Sequence, residues 1–269
     1  MNLRLTLQAD VGVLERHRAG HLAQLVAPQD DMWAAFGDGA TGYALRVGDE
    51  EVGSCRLDDE KQLLRFYLRP AWQQRAEELL RLVVEELGVA NLLVATLDPG
   101  FLAPALDVAV RIEPHTLLYA HRVAPEVPAL DGLDLARVED HERVVAFEET
   151  TLGAPRAFLE GYVRARIERE ELWLRQEGRE IVAVGELRRD REQPGIAQLG
   201  VIVAVPARGR GLAARLLAAL VARSRAEGLT PICSTEVGNR SARCAIERAG
   251  FRPHHRLVRI AFERAAPSA

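Results

Sequence analysis

The sequence predicts an α+β protein of two domains, each a mixed, mostly antiparallel sheet flanked by helices. Three observations carry this reading. The chain has 269 residues, where a single domain typically takes about 150. Residues 124–132, Ala-Pro-Glu-Val-Pro-Ala-Leu-Asp-Gly, interrupt every periodicity with two prolines and a glycine, as a linker does. On either side of that segment the elements come in the same order, so the expected domains are 1–123 and 133–269.

In the C-terminal half, residues 133–138 alternate as a short strand. Helical periodicity follows at 141–152 and 155–169, the second with Pro155 at its first turn. Strands are predicted at 172–176, 180–188 and 196–203, the first two joined by the turn Glu177-Gly178. A long amphipathic helix spans 209–227, with Leu212, Leu216, Leu217, Leu220 and Val221 on one face. A strand at 232–236, a helix at 239–249 and a strand at 256–262 complete the half, with His254 and His255 expected in a turn before that last strand.

The N-terminal half repeats the order: a strand at 3–7, a helix at 11–26, a hairpin of 43–47 and 51–57, and a strand at 63–68. The long helix at 71–87 and strands at 92–97 and 116–122 follow. Leu79-Leu80 and Val83-Val84 stand where Leu216-Leu217 and Leu220-Val221 do, and Ile112-Glu113-Pro114-His115 mirrors Phe251-Arg252-Pro253-His254. Shared order plus local identity reads as duplication.

Composition excludes several function classes. A formal net charge of -4 gives no general reason to expect nucleic acid or an anionic membrane as partner. Residues 1–10 lack the apolar stretch of a secretory signal, and no run approaches the ~18 apolar residues of a membrane helix. Cys55, Cys233 and Cys244 are scattered, which fits neither a disulfide framework nor a metal site. The expectation is a soluble, cytoplasmic protein without a metal.

The informative constellation is a strand, then Arg208-x-x-Gly211-x-Ala213, then a long helix. A helix start offers unpaired N–H groups and the positive end of the macrodipole. Glycines there let a pyrophosphate approach the backbone. Arg208 and Arg210 add forked donors for phosphate oxygens. No Gly-Lys-Ser/Thr follows, which excludes the nucleotide-triphosphate phosphate loop. The glycines follow a hairpin-fed strand without a βαβ repeat, which excludes a dinucleotide fold.

Residues 203–213, Val-Ala-Val-Pro-Ala-Arg-Gly-Arg-Gly-Leu-Ala, resemble the coenzyme A signature of the GNAT acetyltransferases, whose pattern is Gln/Arg-x-x-Gly-x-Gly/Ala. A second block of that family matches Asn239-Arg240-Ser241-Ala242 through Glu247-Arg248-Ala249-Gly250-Phe251. The fold implied is two GNAT-like domains in tandem, with acetyl-CoA as co-substrate. By the resemblance, Arg208, Gly209, Arg210, Gly211, Leu212 and Ala213 hold the phosphates, and Asn239 contacts the coenzyme from a helix start, where it also suits a helix cap. The resemblance further implies that the strand before the loop splays from its neighbour at 232–236, so that pantetheine bonds to the main chain of Val201 and Val203.

The reaction the family implies is direct attack of an amine on the thioester in a ternary complex. An amine with pKa near 10 is about a thousandth unprotonated at neutral pH, so a proton acceptor helps by up to ~4 kcal/mol. Glu186 and Glu236 are the candidate bases, with Glu148 and Glu149 on the first helix as further carboxylates. Many family members carry a tyrosine as acid where this chain has Ile246, which cannot donate a proton. The N-terminal half has Pro70-Ala71-Trp72-Gln73-Gln74-Arg75-Ala76 at the loop, without a glycine, and reads as a degenerate copy that no longer binds the coenzyme well and buttresses the other half. The acceptor is expected to be the amine of a small molecule. A protein or peptide amine, or coenzyme A binding without catalysis, are the alternatives.

Overall fold

The computed structural model describes residues 5–10 and 12–262. The chain divides into two compact units, residues 1–117 with 255–269, and residues 118–254. The predicted linker at 124–132 thus lies inside the second unit, and the tail from His255 belongs to the first.

Unit 1 runs β1 (Leu5–Ala9), α1 (Val13–Gln24), α2 (Asp31–Asp38), β2 (Thr41–Val47), β3 (Glu50–Leu57), β4 (Gln62–Leu68), a 3-10 turn at Pro70–Arg75, α3 (Ala76–Glu86), β5 (Asn91–Ala95) and α4 (Pro99–Asp107). The next strand, β6 (Ala109–His121), passes into unit 2 at residue 118. Unit 2 continues with β7 (Leu133–Leu135), α5 (His141–Leu152), α6 (Arg156–Glu168), β8 (Leu172–Glu177), β9 (Glu180–Arg189), β10 (Ile196–Val203), a 3-10 turn at Val205–Ala207, α7 (Leu212–Ala226), β11 (Thr230–Glu236) and α8 (Arg240–Arg248). Strand β12 (Phe251–Phe262) then returns to unit 1, where Leu257↔Ala95 through Ile260↔Leu92 pair it antiparallel with β5.

Both units therefore repeat one order, down to the 3-10 turn with a proline before the long helix. Unit 1 has strand order β1-β2-β3-β4-β5-β12, and unit 2 has β6-β11-β10-β9-β8-β7. The pairings β1–β2, β2–β3, β3–β4, β5–β12, β7–β8, β8–β9 and β9–β10 are antiparallel, while β4–β5 and β10–β11 are parallel. The core of unit 1 gathers Leu45, Phe66, Leu79, Leu80, Val83, Phe101, Val258 and Ile260. That of unit 2 gathers Val144, Val145, Leu159, Val163, Leu172 and Leu174, and the predicted stripe of α7 is buried as well, with Leu216 and Leu220 against Gly185 of β9.

Several expectations needed correction, each for a local reason. His254 and His255 lie within β12 and not in a turn, because the strand starts at Phe251. Gly209 and Gly211 have φ of 79° and 77°, so the long helix begins at Leu212. The strand at 133–138 is three residues long, since a 3-10 turn follows at Val138–Asp140, where Asp140 accepts from the Arg137 N–H. Helix α2 was not among the predicted elements; its cap, Asp30, accepts from the Trp33 N–H at 3.0 Å. The predicted strand at 3–7 and helix at 11–26 begin partly outside the described residues.

Ile260 is fully buried in unit 1 although it lies more than 160 residues from its neighbours in sequence. Ile260→Ala should destabilise unit 1 by about 2–5 kcal/mol. Urea unfolding followed by fluorescence checks this, with Trp33 and Trp72 in unit 1 and Trp173 in unit 2. An unchanged midpoint would mean that β12 contributes nothing to that core.

Candidate active site

Strand β10 pairs with β11 through Ile196↔Thr230, Ala197↔Pro231 and Gln198↔Ile232, and the pairing ends there although both strands continue. On its other edge β10 stays paired with β9 as far as Val203↔Ala183. The Ala204 N–H donates to the Val182 carbonyl, and the Asp190 N–H to the Ile196 carbonyl. Even-numbered residues of β10 thus turn their main-chain groups toward β9. Alternation along a strand then aims those of Leu199, Val201 and Val203 into the opening beside β11. Val203 and Val201, nominated from sequence, both have this orientation. The Val203 carbonyl accepts from Arg208 Nε at 3.2 Å.

The loop past the strand forms the end of this opening. Gly211 is the cap of α7, and the first bond inside the helix runs from the Arg215 N–H to the Gly211 carbonyl at 3.3 Å. The N–H groups of Leu212, Ala213 and Ala214 precede that bond and stay outside the helical ladder. No acidic residue occupies the first turn of α7. A Cβ on Gly209 or Gly211 would meet no atom within 4 Å, so their positive φ and not crowding calls for glycine. Arg208 and Arg210 are exposed, Arg210 within 3.2 Å of Glu177. Main-chain donors, cations and an opened strand edge fit a long pyrophosphate-bearing thioester such as acetyl-CoA. Asn239 caps α8, its Oδ1 accepting from the Ala242 N–H at 3.1 Å, which leaves its amide NH2 to donate.

Above β10 lies a buried polar cluster. Glu186 on β9 is the cross-strand partner of Gly200, and a Cβ on Gly200 would stand 3.4 Å from Glu186 Oε2. Both Glu186 oxygens accept from the Tyr162 hydroxyl at 3.0 and 2.9 Å, and Oε2 also takes Arg188 Nη1. Glu148 on α5 is 1% exposed, and its Oε1 has no hydrogen-bond partner among the described residues. Burial first, then the charge of Glu186, pushes Glu148 up to about 8. Burial and the same charge hold the Tyr162 phenol well above its usual range.

Of the two carboxylates favoured from sequence, Glu186 is therefore buried in an ion pair and Glu236 is exposed at the end of β11. Glu149 pairs with Arg156 at 3.2 Å, and His255 bonds Thr96 in unit 1 at 3.3 Å. Ile246 is buried on α8. The roles of Tyr162 and Arg188 went unread in the sequence. A signal existed for Glu148, since it shares the buried stripe of α5 with Val144 and Val145, where a carboxylate is out of place.

Unit 1 differs at the equivalent positions. The β4–β5 pairing also stops early, at Leu63↔Leu92. There the Gln24 amide donates to the Leu68 carbonyl at 3.2 Å, and the Val26 N–H to the Leu97 carbonyl at 3.0 Å. Glu77 and Glu78 occupy the first turn of α3, where they already satisfy the dipole that would attract phosphate.

Residues 12–122 match the family model described as an acetyltransferase (GNAT) domain, and residues 135–251 that of the acetyltransferase (GNAT) family. A solved acetyltransferase from the GNAT family from Colwellia psychrerythraea is 30% identical over 97% of this chain and 100% of its own, with a TM-score of 0.89. The chain belongs to the GNAT family of acetyltransferases. It carries two GNAT domains in tandem and is an acyltransferase. A GCN5-related N-acetyltransferase from Sphaerobacter thermophilus shares the fold at 17% identity, covering 97% of each chain with a TM-score of 0.66. So does a tandem GNAT protein from the clavulanic acid biosynthesis pathway, at 18% identity over 99% of this chain and 100% of its own, with a TM-score of 0.63. No curated protein matches the chain. No helix of this GNAT protein, among the described residues, is long and apolar enough to cross a membrane.

The raised pKa of Glu148 has a consequence for stability. A carboxyl that binds its proton more tightly when folded contributes stability that is full below its unfolded value of 4.5 and lost as pH rises through about 8. Glu148→Gln has no such proton to lose. The variant should therefore gain stability relative to the parent between pH of about 5 and about 9, read from urea unfolding at each pH. A constant difference would show that Glu148 titrates as an ordinary surface carboxyl does.

Proposed function

We propose that this protein transfers the acetyl group of acetyl-CoA to the amine of a small molecule, by direct attack in a ternary complex in unit 2. One observation carries the reading: the opening between β10 and β11 runs past Gly200, over which Glu186 sits, with its charge acting on the buried Glu148. A groove for a thioester and a buried proton acceptor thus converge on one residue. Because Glu148 and Glu186 are recessed, 1% and 6% exposed, they suit a small amine better than a protein surface.

Acetyl-CoA supplies an activated acetyl thioester. Its phosphates would rest on the segment Arg208, Gly209, Arg210, Gly211, Leu212 and Ala213, and its pantetheine amides on the main chain of Val201 and Val203. Asn239 would add its amide NH2 from the start of α8. A main-chain N–H of the β10 edge would polarise the carbonyl as an oxyanion donor does.

Glu148 would take the proton of the acceptor ammonium, a task its raised pKa suits. Glu186 is the less apt base, since Arg188 and Tyr162 already hold its charge. Its part would be to position, through the repulsion that raises Glu148. Glu236, exposed beyond the opening, is the carboxylate from which a proton could pass to water. With Ile246 in place of an acid, the thiolate, of pKa near 8.5, would leave unassisted.

Isothermal titration should give about one acetyl-CoA per chain. Gly211→Asp should weaken binding by at least ~2 kcal/mol, because the new carboxylate faces the pyrophosphate at a helix start. Aspartate at this positive φ costs about 1–2 kcal/mol, and its Cβ would meet no atom within 4 Å, so the fold should survive. A stoichiometry of two would mean that unit 1 binds as well, and unchanged affinity would move the phosphate site elsewhere.

Glu148→Gln should lower turnover by about 100-fold near neutral pH. The defect should shrink as pH approaches that of the free amine, near 10. Glu186→Gln should instead move the rise of kcat/KM to lower pH, since removing a neighbouring negative charge lowers the pKa of Glu148. Equal turnover and parallel pH profiles for Glu148→Gln and parent would remove Glu148 as base and leave Glu236→Gln as the next test.

A further inference from the structure

Helix α8 carries Arg240, Arg243, Cys244, Glu247 and Arg248 at spacings that bring them to one side. Together they line an open basin of about 480 Å³. Arg252, at the start of β12, and Glu126, on the segment that follows β6, complete the lining. All of these residues belong to unit 2, and none belongs to the phosphate-binding loop at 208–213.

Charge sets this basin apart. Elsewhere exposed arginines pair with carboxylates, as Arg75 does with Glu78 and Arg189 with Glu227. The arginines of the basin do not. Arg243 donates to the Val237 carbonyl at 3.1 Å, and Arg252 to the Glu247 and Phe251 carbonyls at 3.0 and 2.8 Å. Those acceptors are neutral, so they orient the two guanidinium groups without cancelling their charge. Arg240 and Arg248 are exposed, and their side chains have no partner among the described residues. Glu247 accepts from the Tyr119 hydroxyl at 3.0 Å. Four arginines against two glutamates leave an excess of two positive charges in one concavity.

The excess sets the charge of a ligand, and the glutamates constrain its shape. A phosphate monoester carries about -1.5 to -2 at neutral pH on a single centre. Its oxygens match the forked donors of guanidinium groups. A dicarboxylate spreads the same charge over two groups, which are harder to keep clear of Glu126 and Glu247 in the same basin. A volume of about 480 Å³ also exceeds a bare phosphate and leaves room for a sugar-sized body. We infer that the basin on α8 is a second ligand site, which takes a small phosphate monoester. The inference rests on charge and concavity and is independent of the acetyl-transfer reading.

Cys244 supplies the reporter. It is exposed and lies in the basin, whereas Cys55 and Cys233 are buried. The full chain is first saturated with coenzyme A, so that the phosphate-binding loop is filled. Glucose 6-phosphate should then bind by calorimetry, and at saturation should slow alkylation of Cys244 by iodoacetamide about fivefold or more. Glucose should do neither. Succinate should bind at least about tenfold more weakly than glucose 6-phosphate. Arg240→Gln combined with Arg248→Gln should weaken glucose 6-phosphate by about tenfold or more. Both positions are exposed, so the double variant should melt as the parent does. No binding of glucose 6-phosphate, binding that leaves Cys244 equally reactive, or equal affinity in the double variant would each overturn the inference. Glucose or succinate binding as tightly would overturn the assignment of a phosphate. Protection of Cys244 by coenzyme A alone would make the basin part of the coenzyme's own site, and would overturn the inference as well.

Discussion

The end of pairing between β10 and β11 after Gln198↔Ile232 is the constraint on which the rest of unit 2 depends. A strand edge inside a sheet normally spends its N–H and C=O groups on a neighbour. Here Leu199, Val201 and Val203 keep theirs aimed into an opening, and Arg208 reaches back to one of them. The glycines at 209 and 211 follow at once, their left-handed backbone turning the chain so that α7 starts at the end of the same opening. Strand edge and helix start thus supply main-chain donors along one line, which suits a long, flexible, anionic ligand.

Charge placement is the second organising feature. Burying two carboxylates near each other is costly unless their charges are paired or one is neutralised. The protein does both: Glu186 is held by Arg188 and Tyr162, and Glu148 keeps its proton to about pH 8. The hydrophobic stripe of α5 carries Glu148 into this position with Val144 and Val145. The packing that makes the helix fold against the sheet also sets the acidity of its one out-of-place residue.

The two units share an order of elements and differ in their chemistry. Around the shortened β4–β5 pairing of unit 1, Gln24 and Val26 supply donors to Leu68 and Leu97. Its long helix begins with Glu77 and Glu78, where α7 begins without acidic residues. Trp72, within the 3-10 turn before α3, donates to Glu50. Unit 1 has thus satisfied from within the groups that unit 2 leaves facing outward.

The sequence by itself determined the doubled α+β architecture and the phosphate-binding loop, for a physical reason. Hydrophobic periodicity, glycines and prolines act through residues a few positions apart, so the stripe of α7 and the turn at Gly209 and Gly211 are written locally. The tertiary structure decided what depends on distant partners. It drew β12 across to β5, so that His255 bonds Thr96 in unit 1 and lies far in sequence from the strands it joins. It also separated the glutamates: Glu186 became half of a buried ion pair, Glu236 stayed in water, and Glu148 acquired its raised pKa. Acidity is a property of surroundings, and those surroundings come from α5, α6 and β9, which meet only once the chain has folded.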